Sequence, residues 1–396
     1  MVNRKKQPIY TALILLIGAL VLYFFTCNNP PKKAADFRTK LIAFVKQDSL
    51  EEIKALDAQY PDSMKTCLNN MGSTILRNAA MAGSLHTVEY LLTQKSLDIN
   101  AEEGAALHYA ASMGRTEMVQ FLLKKGAAIL PNGYSRENPL HAAAGTNPDL
   151  WVEREDKDFT KIDIPGVVKI LIEHGIDVNS LDKDNETPLH RAAFVQNYAV
   201  VKYLLEQKAA VNSRDKSGNT PLHDATFTNK NNSVCALLLS YGANPSIKNT
   251  KGNTPLLYGY ADADTSTIHL FEQYGYDPVN DVNNEGKTLL HGALGNNQYA
   301  TIDYLLQQKA DVNATTAQGM TPFHLAAAMR GPKGLAVIQK LMAAGANINA
   351  KDTWGRTPLS YVDKVIETDH GTFYPDSLIV SYLIKHGARP PNPLGR

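Results

Sequence analysis

Apolar residues recur along this chain at helical spacing inside a longer beat of about 33 residues. The stretch 215–245 carries the beat in its clearest form. Val234, Leu237 and Leu238 fall at i, i+3 and i+4, which predicts a helix with one buried stripe. Ahead of it, Asp215, Gly218 and Asn219 predict a tight turn, with Gly218 free to take positive φ. Thr220 is placed to cap a shorter first helix, and Pro221 fits its first turn, where a missing N–H costs nothing. Gly242 ends the second helix in a left-handed conformation and Pro245 stops it resuming. The order is turn, short helix, longer helix, loop.

Thr-Pro-Leu-His or a close variant opens this unit at Thr187, Thr220, Thr254, Thr288, Thr321 and Thr357. Degraded copies begin at Thr74, Ala105 and Asn138, with a weaker trace at Thr39. A unit of this length cannot bury its apolar face alone and must lean on its neighbours. Length by itself would allow two or three globular domains, but the repeats predict one continuous array. The fold class expected is an all-α repeat solenoid of helix-turn-helix units, about nine to ten of them.

Strings such as "TPLHDATFTNKNNSVCALLLSYGAN" from Thr220 and "TPFHLAAAMRGPKGLAVIQKLMAAGANINA" from Thr321 closely resemble the ankyrin repeat. The resemblance covers nearly all of 36–390. It implies an L-shaped stack in which hairpins project from helix pairs and form a concave groove that grips proteins. The departures matter. Lys95, Lys208 and Lys309 replace the helix-ending Gly, so those corners are expected to carry about 1 kcal/mol of strain. Asn185 stands for the turn Gly, a swap that left-handed geometry tolerates. Leu257 and Ser360 take the place of the motif His. The segment 39–56 keeps helix-pair periodicity with little of the motif, as a capping unit would.

Domain boundaries follow: a basic segment 1–8, an apolar anchor or signal 9–25, a linker 26–35, the repeats 36–390 and a tail 391–396. Arg4, Lys5 and Lys6 precede the uncharged run 9–25, which is at the short end of what spans a bilayer. Three readings stay open: a retained anchor, a lipoprotein signal ending at Cys27, and a cleaved signal. The anchor leads, because Phe24, Phe25 and Thr26 are poor residues before a cut. The N-terminal basic cluster then orients the repeats outside the cytoplasm, in a periplasm or its equivalent. A cytosolic array is the alternative.

Formal net charge is +1, which gives no case for nucleic acid, a ligand that wants a basic face. Three cysteines, Cys27, Cys67 and Cys235, form no framework, and Cys235 reads as a small core residue. His108, His141, His190, His223, His291 and His324 all hold the fourth motif position. In stacked repeats these rings are expected roughly 10 Å apart. Metal ligands must converge to about 2 Å from one ion, so the rings read as a ladder bonded to hairpin backbone. Asp182-Lys183-Asp184-Asn185-Glu186 lacks the spacing of a calcium loop and reads as a hairpin tip. Sequons at Asn185, Asn231 and Asn313 read as accidents of an Asn-rich chain. No catalytic, cofactor or metal residues and no small-molecule substrate are expected.

Partner-binding candidates come from positions the fold leaves open. Met113, Phe194, Phe227 and Met329 occupy exposed first-helix positions and make an apolar row. Lys183, Lys216 and Lys251 make a basic row at three tips, while Trp354 and Arg356 stand on the last. Two insertions break the beat between the helices of a repeat. One, at 146–165, includes Trp151 and Phe159 among many acids; the other, at 361–377, includes Phe373 and Tyr374. The leading function is a non-enzymatic, membrane-tethered scaffold that binds a protein partner through the concave groove. The alternatives are an inhibitor or immunity-type protein that blocks an enzyme in the same compartment, and a structural envelope component.

Overall fold

A computed structural model describes residues 32–94, 97–131, 135–147, 162–228, 232–259, 264–362, 367–368, 371–372 and 377–389. The expectations on the run 9–25, Cys27, Lys95, Trp151, Phe159, Asn231, Phe373 and Tyr374 lie outside these residues. Among the described residues no helix is long and apolar enough to cross a membrane. The chain divides into two compact units, Met1–Ala106 and Leu107–Arg396.

In the first unit, helices Lys32–Lys46, Leu50–Gln59, Pro61–Ala82 and Leu85–Leu92 bury Leu41, Val45, Ile53, Ile75, Val88 and Leu91 completely or nearly so. Helix-pair periodicity over 39–56 is present, but two expected starts are corrected. Thr39 and Thr74 lie inside helices that begin at Lys32 and Pro61, so neither caps anything. Gly72 stands two places before Thr74, as Gly218 does before Thr220, but it lies inside the helix Pro61–Ala82 and forms no turn. Asp48 supplies a cap instead, accepting the Thr87 N–H at 2.9 Å.

The helix Ala101–Ser112 runs across the division between the units. It too starts upstream of its degraded motif, at Ala101 rather than Ala105. After Thr116–Lys124, first and second helices alternate through the second unit. The pairs are Pro139–Ala144 with Ile164–Glu173, Pro188–Phe194 with Tyr198–Glu206, and Pro221–Phe227 with Ser233–Ser240. Next come Pro255–Tyr258 with Thr265–Gln273, Leu289–Gly295 with Tyr299–Gln307, Pro322–Ala327 with Gly331–Ala343, and Leu359–Val362 with Ser377–Lys385. Both insertions fall between the helices of a pair. In the later one, Glu367 pairs with Thr372 and Thr368 with Gly371 as two antiparallel strands. The core repeats with the motif: Leu189, Ala192 and Ala193, then Leu222 and Ala225, are sealed against Val200, Leu204, Val234, Cys235 and Leu238.

The N-caps Thr187, Thr220, Thr254 and Thr321 are extended, and the proline after each opens the helix; Thr288 is extended too, with Leu289 in the proline's place. Gly242 is left-handed at φ 85°, as its position requires. Gly218 has φ 74°, and a Cβ there would lie 3.1 Å from the Thr250 backbone nitrogen of the next hairpin. Lys208 and Lys309 are held at φ 65° and 61°, so the strain expected at those corners is present. Lys208→Gly and Lys309→Gly should each raise stability by up to about 1 kcal/mol in urea titration, most of the relief being offset by glycine's freer unfolded state. Unchanged or lower midpoints would remove this account of the corners.

Candidate protein-binding face

The hairpins are tied to one another by backbone. The second residue of each turn donates its N–H to the third residue of the turn before: Lys183 to Ser135, Lys216 to Asp184, Thr250 to Ser217, Asn284 to Lys251, Ala317 to Glu285 and Thr353 to Gln318, at 2.7–3.0 Å. A parallel set is made by asparagine side chains. Asn179, Asn212, Asn280, Asn313 and Asn349 accept N–H groups of Ala210, Asn244, Asp311, Asn347 and Arg389 at 2.8–2.9 Å. The Asn313 amide also donates to the Gly345 carbonyl. The abundance of asparagine therefore has a structural use that its sequon pattern hides.

The motif histidines complete the frame. His190 Nδ1 lies 2.8 Å from Thr187 Oγ1 and accepts the Thr187 backbone N–H at 3.1 Å. That leaves Nε2–H to donate to the Asn219 carbonyl of the next hairpin at 3.2 Å. His141, His223, His291 and His324 repeat the link to Glu186, Asn253, Met320 and Arg356. Burial pushes His190 and His223 down to about 4, against the pull of the carbonyl each ring serves. Where Leu257 replaces His, Thr254 Oγ1 donates instead to Asp281 of the following repeat at 3.1 Å. Where Ser360 does so, its buried hydroxyl has no partner among the described residues. His108 has Ala105 three places before it, which offers no hydroxyl, and its buried Nδ1 is likewise unpartnered there.

Against this frame the candidate residues separate. Phe194 and Phe227 stack with ring centroids 6.3 Å apart, and Phe227 in turn meets Tyr258 at 5.3 Å. Phe227 is 40% exposed, whereas Phe194 and Met113 are half-buried. Met329 is corrected: it is 5% exposed and belongs to the core. The helix Gly331–Ala343 starts immediately after it and folds back, placing Gly334 directly on Met329. The basic row is also uneven. Lys216 and Lys251 are exposed, Lys183 is half-buried, and Lys251 stands one turn position later than the other two.

Two polar groups were not legible as sites, because the residue four places after the motif threonine varies freely. In the unit opened by Thr187 it is Arg191. Its guanidinium meets Glu137, Asp182 and Glu186 at 2.5, 2.7 and 2.6 Å. Burial opposes ionisation of Asp182, yet the Arg191 hydrogen bond and charge, with two backbone N–H groups, hold its carboxyl below the usual range. In the unit opened by Thr254 the residue is Tyr258. Burial, then the carboxylates of Asp224, Asp215 and Glu186, push its hydroxyl up to about 12.

At the last tip Trp354 is 63% exposed. Arg356 lies 4.5 Å from its indole and 4.8 Å from the Tyr361 ring. Asp352 accepts both Arg356 Nε at 2.8 Å and Tyr361 Oη at 2.6 Å. Arg356 therefore holds the indole in place, and much of its own bonding capacity is already engaged.

Among the described residues no three His, Cys, Asp or Glu side chains converge as metal ligands would. Asp182 Oδ1 instead accepts the N–H groups of Asp184 and Glu186, which makes that segment a hairpin turn.

The family model for ankyrin repeats in three copies matches residues 41–133, 161–249, 224–316 and 260–352. The chain belongs to the ankyrin-repeat family. Ankyrin repeats form a protein–protein interaction domain. Among curated proteins, the human transient receptor potential cation channel subfamily A member 1 is 25% identical over 76% of this chain and 24% of its own length. Its Caenorhabditis elegans homologue is 29% identical over 39% of this chain and 13% of its own. This ankyrin-repeat chain thus spans a quarter or less of the length of those relatives. The crystal structure of the human ASB11 ankyrin repeat domain aligns with 64% of this chain at 23% identity and a TM-score of 0.46.

Proposed function

We propose that this ankyrin-repeat chain is a non-enzymatic, membrane-tethered module that holds a protein partner on the face shared by its hairpins and first helices. One observation carries the reading: Phe194, Phe227 and Tyr258 form a contiguous aromatic row over three successive repeats, with Phe227 left 40% exposed. No core needs a phenylalanine at that place, and aromatic side chains at the centre of a patch dominate protein recognition. The frame beneath the row is stiff, since hairpins and imidazoles bond each repeat to the next. A face that is already ordered loses little entropy when a partner docks. The run 9–25 is the proposed tether, and the basic residues before it favour an orientation with the repeats outside the cytoplasm.

The test is recovery of partners by the full chain and by a Phe194→Ala/Phe227→Ala variant with unchanged helical content. At least a fivefold loss of captured protein is expected from the variant. Equal recovery by both would take the aromatic row out of consideration.

A further inference from the structure

Two successive hairpins carry a cluster of cations that the aromatic row does not use. Arg214 and Lys248 hold the same register place, each just before a turn closed by one backbone bond, Asp215 N–H to Asn219 and Asn249 N–H to Asn253. Arg214 Nη2 donates to the Lys248 carbonyl at 2.8 Å, and Lys248 Nζ donates to the Val282 carbonyl at 3.0 Å. The two side chains are thereby laid end to end across the repeats. Lys216 and Lys251 stand on the turns themselves, which are joined by the Thr250 N–H donating to the Ser217 carbonyl at 2.9 Å. All four are exposed, and among the described residues none forms an ion pair.

The acids around them are engaged elsewhere. Asp215 accepts the N–H and the side-chain amide of Asn219 at 2.7 and 3.1 Å. Asp281 takes the hydroxyls of Thr254 and Tyr276, and Glu285 pairs with Lys287 at 2.8 Å. Each carbonyl bond uses one donor and leaves the rest of the guanidinium or ammonium group open, so these cations are positioned without being neutralised. Four like charges on adjacent hairpins favour an anion, which gains charge-assisted bonds there. Val282, 44% exposed at the end of the line, decides which anion. A phosphate backbone offers it no apolar contact, and one valine is too little to enter a bilayer, whereas a peptide can set an apolar side chain on it.

We propose that these two hairpins bind an acidic segment of a protein partner, with carboxylates on Arg214, Lys216, Lys248 and Lys251 and an apolar residue on Val282. Successive repeats lie roughly 10 Å apart, so about five extended residues cover the patch. The site goes beyond the aromatic row and does not rest on that row being a docking face.

The test selects random dodecapeptides displayed on phage against the full chain in detergent micelles, counter-selected on an Arg214→Gln/Lys216→Gln/Lys248→Gln/Lys251→Gln variant. Recovered peptides are expected to share clustered Asp or Glu residues beside an apolar one. Their affinity should fall about tenfold or more with the four substitutions, weaken with added salt, and survive Phe194→Ala/Phe227→Ala. Amide versions of the same peptides, measured on the unaltered chain, should bind as weakly, which keeps the test decisive even if the fourfold variant unfolds. Recovery of no peptide, or of peptides without an acid cluster, overturns the inference. So does tighter binding of oligothymidylate or of phosphatidylserine vesicles to the same cations. Peptides that need the phenylalanines and ignore the cations overturn this site and leave the aromatic face standing; acidic peptides that ignore the phenylalanines support it whatever becomes of that face.

Discussion

Acidification from pH 6.5 to pH 4 is expected to strip on the order of 6 kcal/mol from the unit Leu107–Arg396, through His190 and His223 alone. The ring geometry gives the reason. Nδ1 accepts the N–H of the capping threonine, and Nε2–H donates to the carbonyl of the next hairpin. A second proton has only Nδ1 to go to, where it would face a donor. Burial therefore holds both rings near 4, while the unfolded chain takes up protons near 6.5. The unfolded state binds more protons throughout that interval, so stability falls as pH drops below 6.5 and levels off below about 4. Each ring contributes about 3 kcal/mol by this linkage. His141, His291 and His324 are displaced in the same direction by burial and add to the loss.

Urea midpoints at pH 7, 5.5 and 4.5 measure the effect. A His190→Gln/His223→Gln variant should be weaker at pH 7 but lose far less over the same interval. A change below about 1 kcal/mol in the unaltered chain would refute the linkage. A separate fall, at lower pH, is expected from Asp352. Burial works against its charge, yet the bonds from Tyr361, Arg356 and Trp354 hold it at about 2. The stability it contributes is present above the ordinary carboxylate range and vanishes as pH falls through 2.

The second large effect is expected at Arg191. Arg191→Met leaves Glu137, Asp182 and Glu186 together without their cation, and the Asp182 side chain is fully buried. Removing one member of a buried ion cluster costs about 3–5 kcal/mol, because the remaining charges keep their desolvation penalty and lose their partner. The sign with pH follows. At pH 7 all three carboxylates are charged and the loss is full. As pH falls through their now raised pKa values they neutralise, and the gap to the unaltered chain closes. Adding Glu137→Gln, Asp182→Asn and Glu186→Gln to Arg191→Met should restore most of the stability at pH 7. A loss for Arg191→Met of the same size at pH 7 and pH 4 would show that lost packing, and not charge, is what matters.

Both effects grow from residues that the motif treats differently. The histidine ladder could be read from the chain, since the fourth motif position is fixed by a bond within its own helix turn. So could the left-handed corners at Lys208, Lys309 and Asn185, because only one backbone conformation closes each of those turns. Arg191 and Tyr258 could not. Both draw on a neighbouring hairpin: Arg191 adds the distant Glu137 to the nearby Asp182 and Glu186, and Tyr258 responds to Asp224 and Asp215 of the preceding repeat. Met329 was misplaced for a related reason: its burial depends on how soon the next helix starts, and Gly331 starts it at once. Thr39 and Thr74 matched a motif letter without the turn that gives the letter meaning, and the helices run through them. The uneven basic row at Lys183, Lys216 and Lys251 reflects a one-place offset within the turn that spacing alone does not reveal.

Amide hydrogen exchange on the full chain, free and saturated with a captured partner, tests the binding face most directly. The account predicts that partner-induced protection concentrates in the first helices and hairpins between residues 182 and 259, centred on Phe194, Phe227 and Tyr258. Protection confined to the second helices, or to the unit Met1–Ala106, would contradict it.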